Sequence, residues 1–132
     1  MSNTTQLFDP STERLDAINE HISIIQRKNG LKFGTDSYLL AAFSHSIPSG
    51  TAVELGGGTG VVSILAASRK KYSKIYCAEI QPVFAELIER NAALNSLTDQ
   101  VIPCLTDIRD ITPATIGTEA HAVLSNPPYM RI

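Results

Sequence analysis

Near one end of the chain an amide, two prolines and an aromatic ring stand in a row, Asn126-Pro127-Pro128-Tyr129, just after the apolar run Ala120 to Leu124. The run reads as a strand, and proline, with no N–H to donate, ends its ladder. Free backbone carbonyls beside one amide side chain and one ring would clamp a planar group that carries an NH2. Three other groups could do chemistry with it. Glu54-Leu55-Gly56-Gly57-Gly58-Thr59-Gly60 follows an apolar run, and Gly56, Gly58 and Gly60 let the backbone turn sharply and approach a ligand without a Cβ in the way. The helix expected after it offers unpaired N–H groups. Glu79 ends a second apolar run, where a carboxylate can accept two hydrogen bonds from a ribose diol. Asp107 follows a third and can accept from an adenine amino group.

Each feature alone has a plainer reading: a tight turn, a solvated strand end, a helix cap, a strand stop. Their joint occurrence at the ends of four successive strands points to one binding edge. Gly58-x-Gly60-x-x-Ser63 comes close to a dinucleotide fingerprint, which leaves a nicotinamide cofactor open for the loop. That reading has no account of Asn126 to Tyr129.

The elements that must position these groups alternate. Strands are expected at 52–55, 74–79, 101–105 and 120–124, with helices from about Gly60 to Arg69 and from Pro82 to about Asn95. Short connections between them predict an α/β fold with a parallel sheet and right-handed crossovers. Upstream, residues 1–12 read as a disordered lead-in and 13–50 as a helix and hairpin segment; 51–132 is the α/β core. Ser11 or Thr12 would cap a helix through His21 carrying Leu15, Ile18 and Ile22. Asn29-Gly30 would turn a hairpin between Ile22–Gln26 and Leu31–Phe33. Asp36 would cap a helix with Leu39, Leu40, Ala42 and Phe43 on its buried side, and Pro48-Ser49-Gly50 would close the segment.

With 132 residues the chain has the length of one domain, and a net charge of −2 gives no global signature of nucleic-acid binding, for which a local patch suffices. Cys77 and Cys104 lack metal-ligand spacing and read as small core residues of a reducing compartment. No membrane-length apolar stretch is present, and the expected location is cytoplasmic. Arg27, Lys28 and Lys32 flank the expected hairpin and could reach phosphates. Arg69, Lys70, Lys71 and Lys74 fall on the opposite edge and read as a solvated helix end.

Taken together, the glycine loop, Glu79, Asp107 and Asn126-Pro127-Pro128-Tyr129 resemble the class I S-adenosylmethionine-dependent methyltransferases that methylate amino groups. Arg14-Leu15-Asp16, Ile24-Ile25-Gln26, Phe33 to Ala41, Glu79-Ile80-Gln81 and Asn91 to Asn95 narrow the resemblance to the bacterial tRNA adenine-N(6) methyltransferases that modify a valine tRNA beside its anticodon. The resemblance implies a Rossmann-like fold with strand order 3-2-1-4, here its N-terminal part, because the family continues well beyond this motif. It implies S-adenosyl-L-methionine as cofactor, held by the Glu54–Gly60 loop, with Glu79 on the ribose, Ile80 beside it, and Asp107 on the adenine amine. Phe33, Thr35 and Asp36 would come over the methionine end. Asn126 and the Pro127 carbonyl would accept from the target amine, with Tyr129 stacked on the base and Pro128 a further catalytic-motif residue. Gly57 stands where the family more often has a small polar residue, and should loosen the empty loop. tRNA or another structured RNA is the implied partner, with no membrane role; an uncovered fourth strand could also pair two copies. A protein glutamine amide, a ribosomal RNA guanine amine, and cofactor binding without turnover remain open alternatives.

Overall fold

The computed structural model describes residues 8–29 and 35–125, apart from the side chains of Thr35 and Asp36. Two strands, β1 (Glu13–Ala17) and β2 (Ser23–Arg27), form an antiparallel hairpin, followed by helix α1 (Thr35–Phe43). The core then alternates: β3 (Ile47–Leu55), α2 (Val61–Ser68), β4 (Tyr72–Glu79), α3 (Pro82–Leu94), β5 (Val101–Leu105), a 3-10 turn at Ile108–Asp110, the short α4 (Pro113–Ile116) and β6 (Ala122–Ser125). Its parallel sheet has the order β5-β4-β3-β6, which reads 3-2-1-4 when only the core strands are numbered. The buried cluster under it is aliphatic, with Ile64, Leu65, Ile75, Ile88 and Val101 nearly or fully enclosed.

The N-terminal segment differs from the expectation. Residues 13–17 are a strand and not a helix. The Asn19 side-chain oxygen accepts from the His21 and Ile22 amides at 2.8 and 2.9 Å, and Ile18 N–H donates to Ile22 O, so the chain reverses there. An asparagine that bonds its own backbone two and three residues on favours a turn over a helix interior. β2 therefore pairs backwards with β1; the Asn29-Gly30 hairpin with Leu31–Phe33 falls outside the described residues.

In α1 the buried positions are Ser37 and Ala41, while Leu39 and Phe43 are 48 % and 82 % exposed. Small residues let this helix lie close on α2, so Leu39 and Phe43 face outward, whereas Leu40, also expected on the buried side, is partly buried against the core and Ala42 is half-buried. Pro48-Ser49-Gly50 does not end a segment either. It sits inside β3, where the register with β4 shifts between Ile47 and Thr51, an irregularity that accommodates a residue unable to donate. The boundary expected at residue 50 thus falls within a strand.

Helix α3 holds the hairpin from the side. Lys28 N–H donates to Thr12 O, and the 18/22 pair is hydrogen-bonded, so Ser23 and Ile25 occupy the alternate positions whose amides face away from β1. No third strand meets them among the described residues. The side chains of Asn91 and Asn95 on α3 do: Asn91 accepts from Ile25 N (2.7 Å) and donates to Ile25 O (3.1 Å), and Asn95 accepts from Ser23 N (3.1 Å) and donates to Ser23 O (2.8 Å). Four residues of helix rise roughly 6 Å and two residues of strand about 6.8 Å, so the amides fall into step with the strand. Arg90 adds a bidentate ion pair to Glu13 at 2.7 and 2.6 Å.

Candidate functional site

All four core strands point the same way, and their carboxyl ends line up. Leu55 lies opposite Ala78 and Ser125, and Glu79 opposite Leu105. Beyond β3 the chain turns through Gly56 (φ 69°), Gly58 (φ 58°) and Gly60 (φ 83°), all left-handed conformations that side-chain-bearing residues avoid. Gly56 and Gly57 N–H both donate to Ala78 O, tying the bend to the end of β4. Gly57 is not loose. A Cβ there would stand 2.9 Å from Ile88 Cδ1 and 3.1 Å from Cys77 Cβ, so the missing side chain is what lets the loop sit on α3.

Glu79 is drawn into this loop. Its Oε1 accepts from Gly58 N at 3.0 Å, its Oε2 accepts from Gln81 N at 3.0 Å, and its residue is 7 % exposed. Two of the four acceptor positions of the carboxylate are thereby used, which leaves two for a ligand's hydroxyls. Thr106 N–H donates to Glu79 O, bringing the end of β5 alongside.

Asp107 makes the bonds of a helix cap. It caps the 3-10 turn by accepting from Arg109 N at 2.9 Å and pairs with the Arg109 guanidinium at 2.6 Å. Those side-chain and backbone bonds from Arg109 pull its carboxyl down to about 2. Glu54, although first in the loop motif, is not on the rim. It is 2 % exposed, faces α2, and accepts from Ser63 Oγ at 2.6 Å. Burial pushes its carboxyl up to about 7, helped by the nearby charge of Glu79 and opposed by the Ser63 bonds. Cys77 Sγ donates in turn to Ser63 Oγ at 3.0 Å, and burial holds that thiol well above its usual range.

Ser63 and Asn91 shape the site, a role that motif and spacing do not assign to them. The signal available is a polar side chain within an apolar stripe: Ser63 between Val62 and Ile64, Asn91 among Leu87, Ile88 and Leu94. Lys71 likewise is no solvated charge, since its Nζ donates to Ala42 O and Ser44 O and caps the end of α1. His121 is structural, its Nδ1 accepting from Thr51 N at 3.0 Å. Asn126 to Tyr129 and Phe33 lie outside the described residues, as do the side chains of Thr35 and Asp36. The last described residue, Ser125, leaves the sheet at the same edge as Gly56.

This edge suits a nucleoside carrying an aliphatic tail. An added Cβ at Gly56 or Gly58 meets nothing within 4 Å, so the bend presents open backbone. Ile80, Leu105 and Ile108, at the ends of neighbouring strands, are 60, 58 and 49 % exposed and offer apolar surface beside the Glu79 carboxylate. Among the described residues no helix is long and apolar enough to cross a membrane.

Comparison with known proteins shows the fold and the family. The tRNA1(Val) (adenine(37)-N6)-methyltransferase of Porphyromonas gingivalis strain ATCC 33277 is 29 % identical over 118 residues, covering 85 % of this chain and 46 % of that protein. The protein of the same description from Flavobacteriaceae bacterium strain 3519-10 is 30 % identical over 109 residues, covering 81 % and 45 %. The chain thus spans about half the length of the curated relatives it matches. Among solved structures, the M. jannaschii tRNA m1G37 methyltransferase superposes with a TM-score of 0.69 at 22 % identity, covering 92 % of this chain and 37 % of that one. M. jannaschii TYW2 in complex with AdoMet gives 0.65 at 22 %, covering 79 % and 48 %. These likenesses establish the Rossmann-like fold. Residues 42–130 match the TRM5/TYW2 methyltransferase domain, and the chain belongs to that family.

Proposed function

We propose that this chain carries the cofactor-binding domain of an S-adenosyl-L-methionine-dependent methyltransferase that modifies the exocyclic amino group of an adenine in tRNA. The observation that carries the reading is the Gly58 N–Glu79 bond, which ties the glycine bend to an acid at the carboxyl edge of the sheet. Family membership and relatives described as tRNA adenine methyltransferases support the reaction class. When bound, the cofactor supplies an electrophilic methyl group.

The chain's own residues do the rest. Gly56 to Gly60 would hold the methionine and ribose part, the two remaining acceptor positions of Glu79 would take the ribose hydroxyls, and Ile80 would line the site beside them. Asp107 accepts from the adenine amine with an oxygen it shares with Arg109. Asn126 and the Pro127 carbonyl accept from the target amine and stabilise the positive charge that develops on its nitrogen; fixed acceptors of this kind are worth roughly 3 kcal/mol each. The proton becomes acidic only after transfer, so no general base is required beforehand. Tyr129 stacks on the base, returning roughly 1–3 kcal/mol of the cost of leaving its own stack. Arg27 and Lys28, at the end of β2 and both exposed, reach for phosphate.

Calorimetry with S-adenosylhomocysteine and with NAD tests the cofactor, and labelled methyl transfer to bulk tRNA tests the acceptor. Binding of the thioether that Glu79→Ala weakens is expected, together with transfer that Asn126→Ala abolishes. NAD binding without a response to the thioether would overturn the cofactor, and undiminished transfer by the Asn126 variant would remove that residue from the mechanism.

A further inference from the structure

The side chain of Asn91 is fully buried, yet three of its hydrogen-bonding positions are filled by backbone from two separate segments. Its Oδ1 accepts from Ile25 N at 2.7 Å, and its Nδ2 donates to Ile25 O at 3.1 Å and to Thr59 O at 2.8 Å. Ile25 belongs to the hairpin strand β2, and Thr59 to the bend between Gly58 and Gly60. Asn95, one turn further along at the C-cap of α3, makes the same two bonds to β2 and, among the described residues, one more side-chain bond, to its own helix at Asn91 O. The two asparagines thus share one task, and Asn91 has a second.

From this geometry we infer that Asn91 is a positioning residue that couples the N-terminal hairpin to the cofactor loop. The inference rests on the loop being the cofactor site. The Thr59 carbonyl is fixed from behind by Nδ2, while the Gly58 amide one residue earlier is fixed from the front by Glu79. Between them lies the peptide that must keep its left-handed turn. The Gly60 N–H closes back on Gly57 O at 2.8 Å, and Ile88, in the preceding turn of α3, packs under Gly57 and Gly60. One face of one helix thereby sets both the floor of the bend and the seat of the hairpin. A ligand that stiffens the bend must stiffen β2 through the same amide, and a loosened hairpin must relax the bend, because coupling between two sites is reciprocal.

The test compares Asn91→Ala with Asn95→Ala by calorimetry with S-adenosylhomocysteine and by amide hydrogen exchange. Asn91→Ala is expected to weaken binding about tenfold and to speed exchange in both Ser23–Arg27 and Gly56–Gly60, the loss of roughly one net hydrogen bond. Asn95→Ala should speed exchange in Ser23–Arg27 alone and change affinity less than about twofold, less than half a hydrogen bond's worth. The unaltered chain gives a check that needs no variant: saturating thioether should slow exchange at Ile25. Equal effects of the two variants on affinity, or an Ile25 amide indifferent to ligand, would overturn the coupling. An unaltered chain that binds no thioether would instead fault the cofactor assignment and leave the exchange comparison between the variants to decide the structural coupling.

Discussion

Ser63 Oγ lies 2.6 Å from Glu54 Oε1 beneath the glycine bend, and the carboxyl it touches is 2 % exposed and held at about 7. A carboxyl raised above its ordinary 4.5 keeps its proton in the folded chain over a window in which the unfolded chain has lost it. Stability therefore falls as pH rises from 4.5 to about 7, by on the order of 3 kcal/mol once the window is crossed. Glu54→Gln keeps an oxygen for Ser63 and removes the titration. Urea unfolding across that range should show the variant gaining on the parent chain as pH rises, and parallel curves would refute the burial cost.

Gly57→Ala should destabilise by about 1–3 kcal/mol, because the new methyl meets Ile88 Cδ1 at 2.9 Å and Cys77 Cβ at 3.1 Å. Ile88→Val removes the nearer atom. In thermal or urea unfolding the double variant should lose less than the sum of the two single losses, whereas strict additivity would mean the loop moves away instead.

Arg90→Ala strands Glu13, whose side chain is 8 % exposed and would retain, among the described residues, the Asp9 amide at 2.9 Å. The expected loss is about 3 kcal/mol, since a buried charge deprived of its partner costs more than the pair contributes. The Arg90 bonds, against the cost of burial, hold the Glu13 carboxyl below its ordinary 4.5. Their stabilisation is present above that value and is lost as pH falls through the depressed one. A double-mutant cycle with Glu13→Gln, run at neutral pH and again in acid, should find a coupling energy that shrinks in acid.

Arg109→Ala should return the Asp107 carboxyl from about 2 toward 3.8, read by NMR titration of the side-chain carbon. The Arg109 side chain is 84 % exposed, so solvent screens the pair and unfolding midpoints at neutral pH should barely move. A titration midpoint that stays near 2 would assign the shift to the capped backbone amide alone.

The core was legible because its periods are unmistakable: Ala52 to Leu55, Lys74 to Glu79 and Val101 to Leu105 are short apolar runs, and Pro82 marks a helix start. The glycine bend was legible for the same local reason, as three left-handed positions can hardly be anything else. The hairpin was not. Leu15, Ile18 and Ile22 happen to fall at helical spacing, while the strand is decided by an Asn19 turn together with bonds from Arg90, Asn91 and Asn95, and those three lie far outside any window around residue 15. Glu54 looks like a ligand contact from its place in the motif. Its apolar neighbours Val53 and Leu55 already hint at an interior position, yet only the partner on α2 makes that position tolerable.

The asparagine pair on α3 also bears on solubility. A two-stranded ribbon with a bare flank is a template on which other chains can stack, and here that flank is capped by amides that mimic a neighbouring strand without being one. The helix serves as a guard rail: substitutions at both Asn91 and Asn95 would uncover the Ser23–Ile25 backbone and turn a folding element into a nucleus for aggregation.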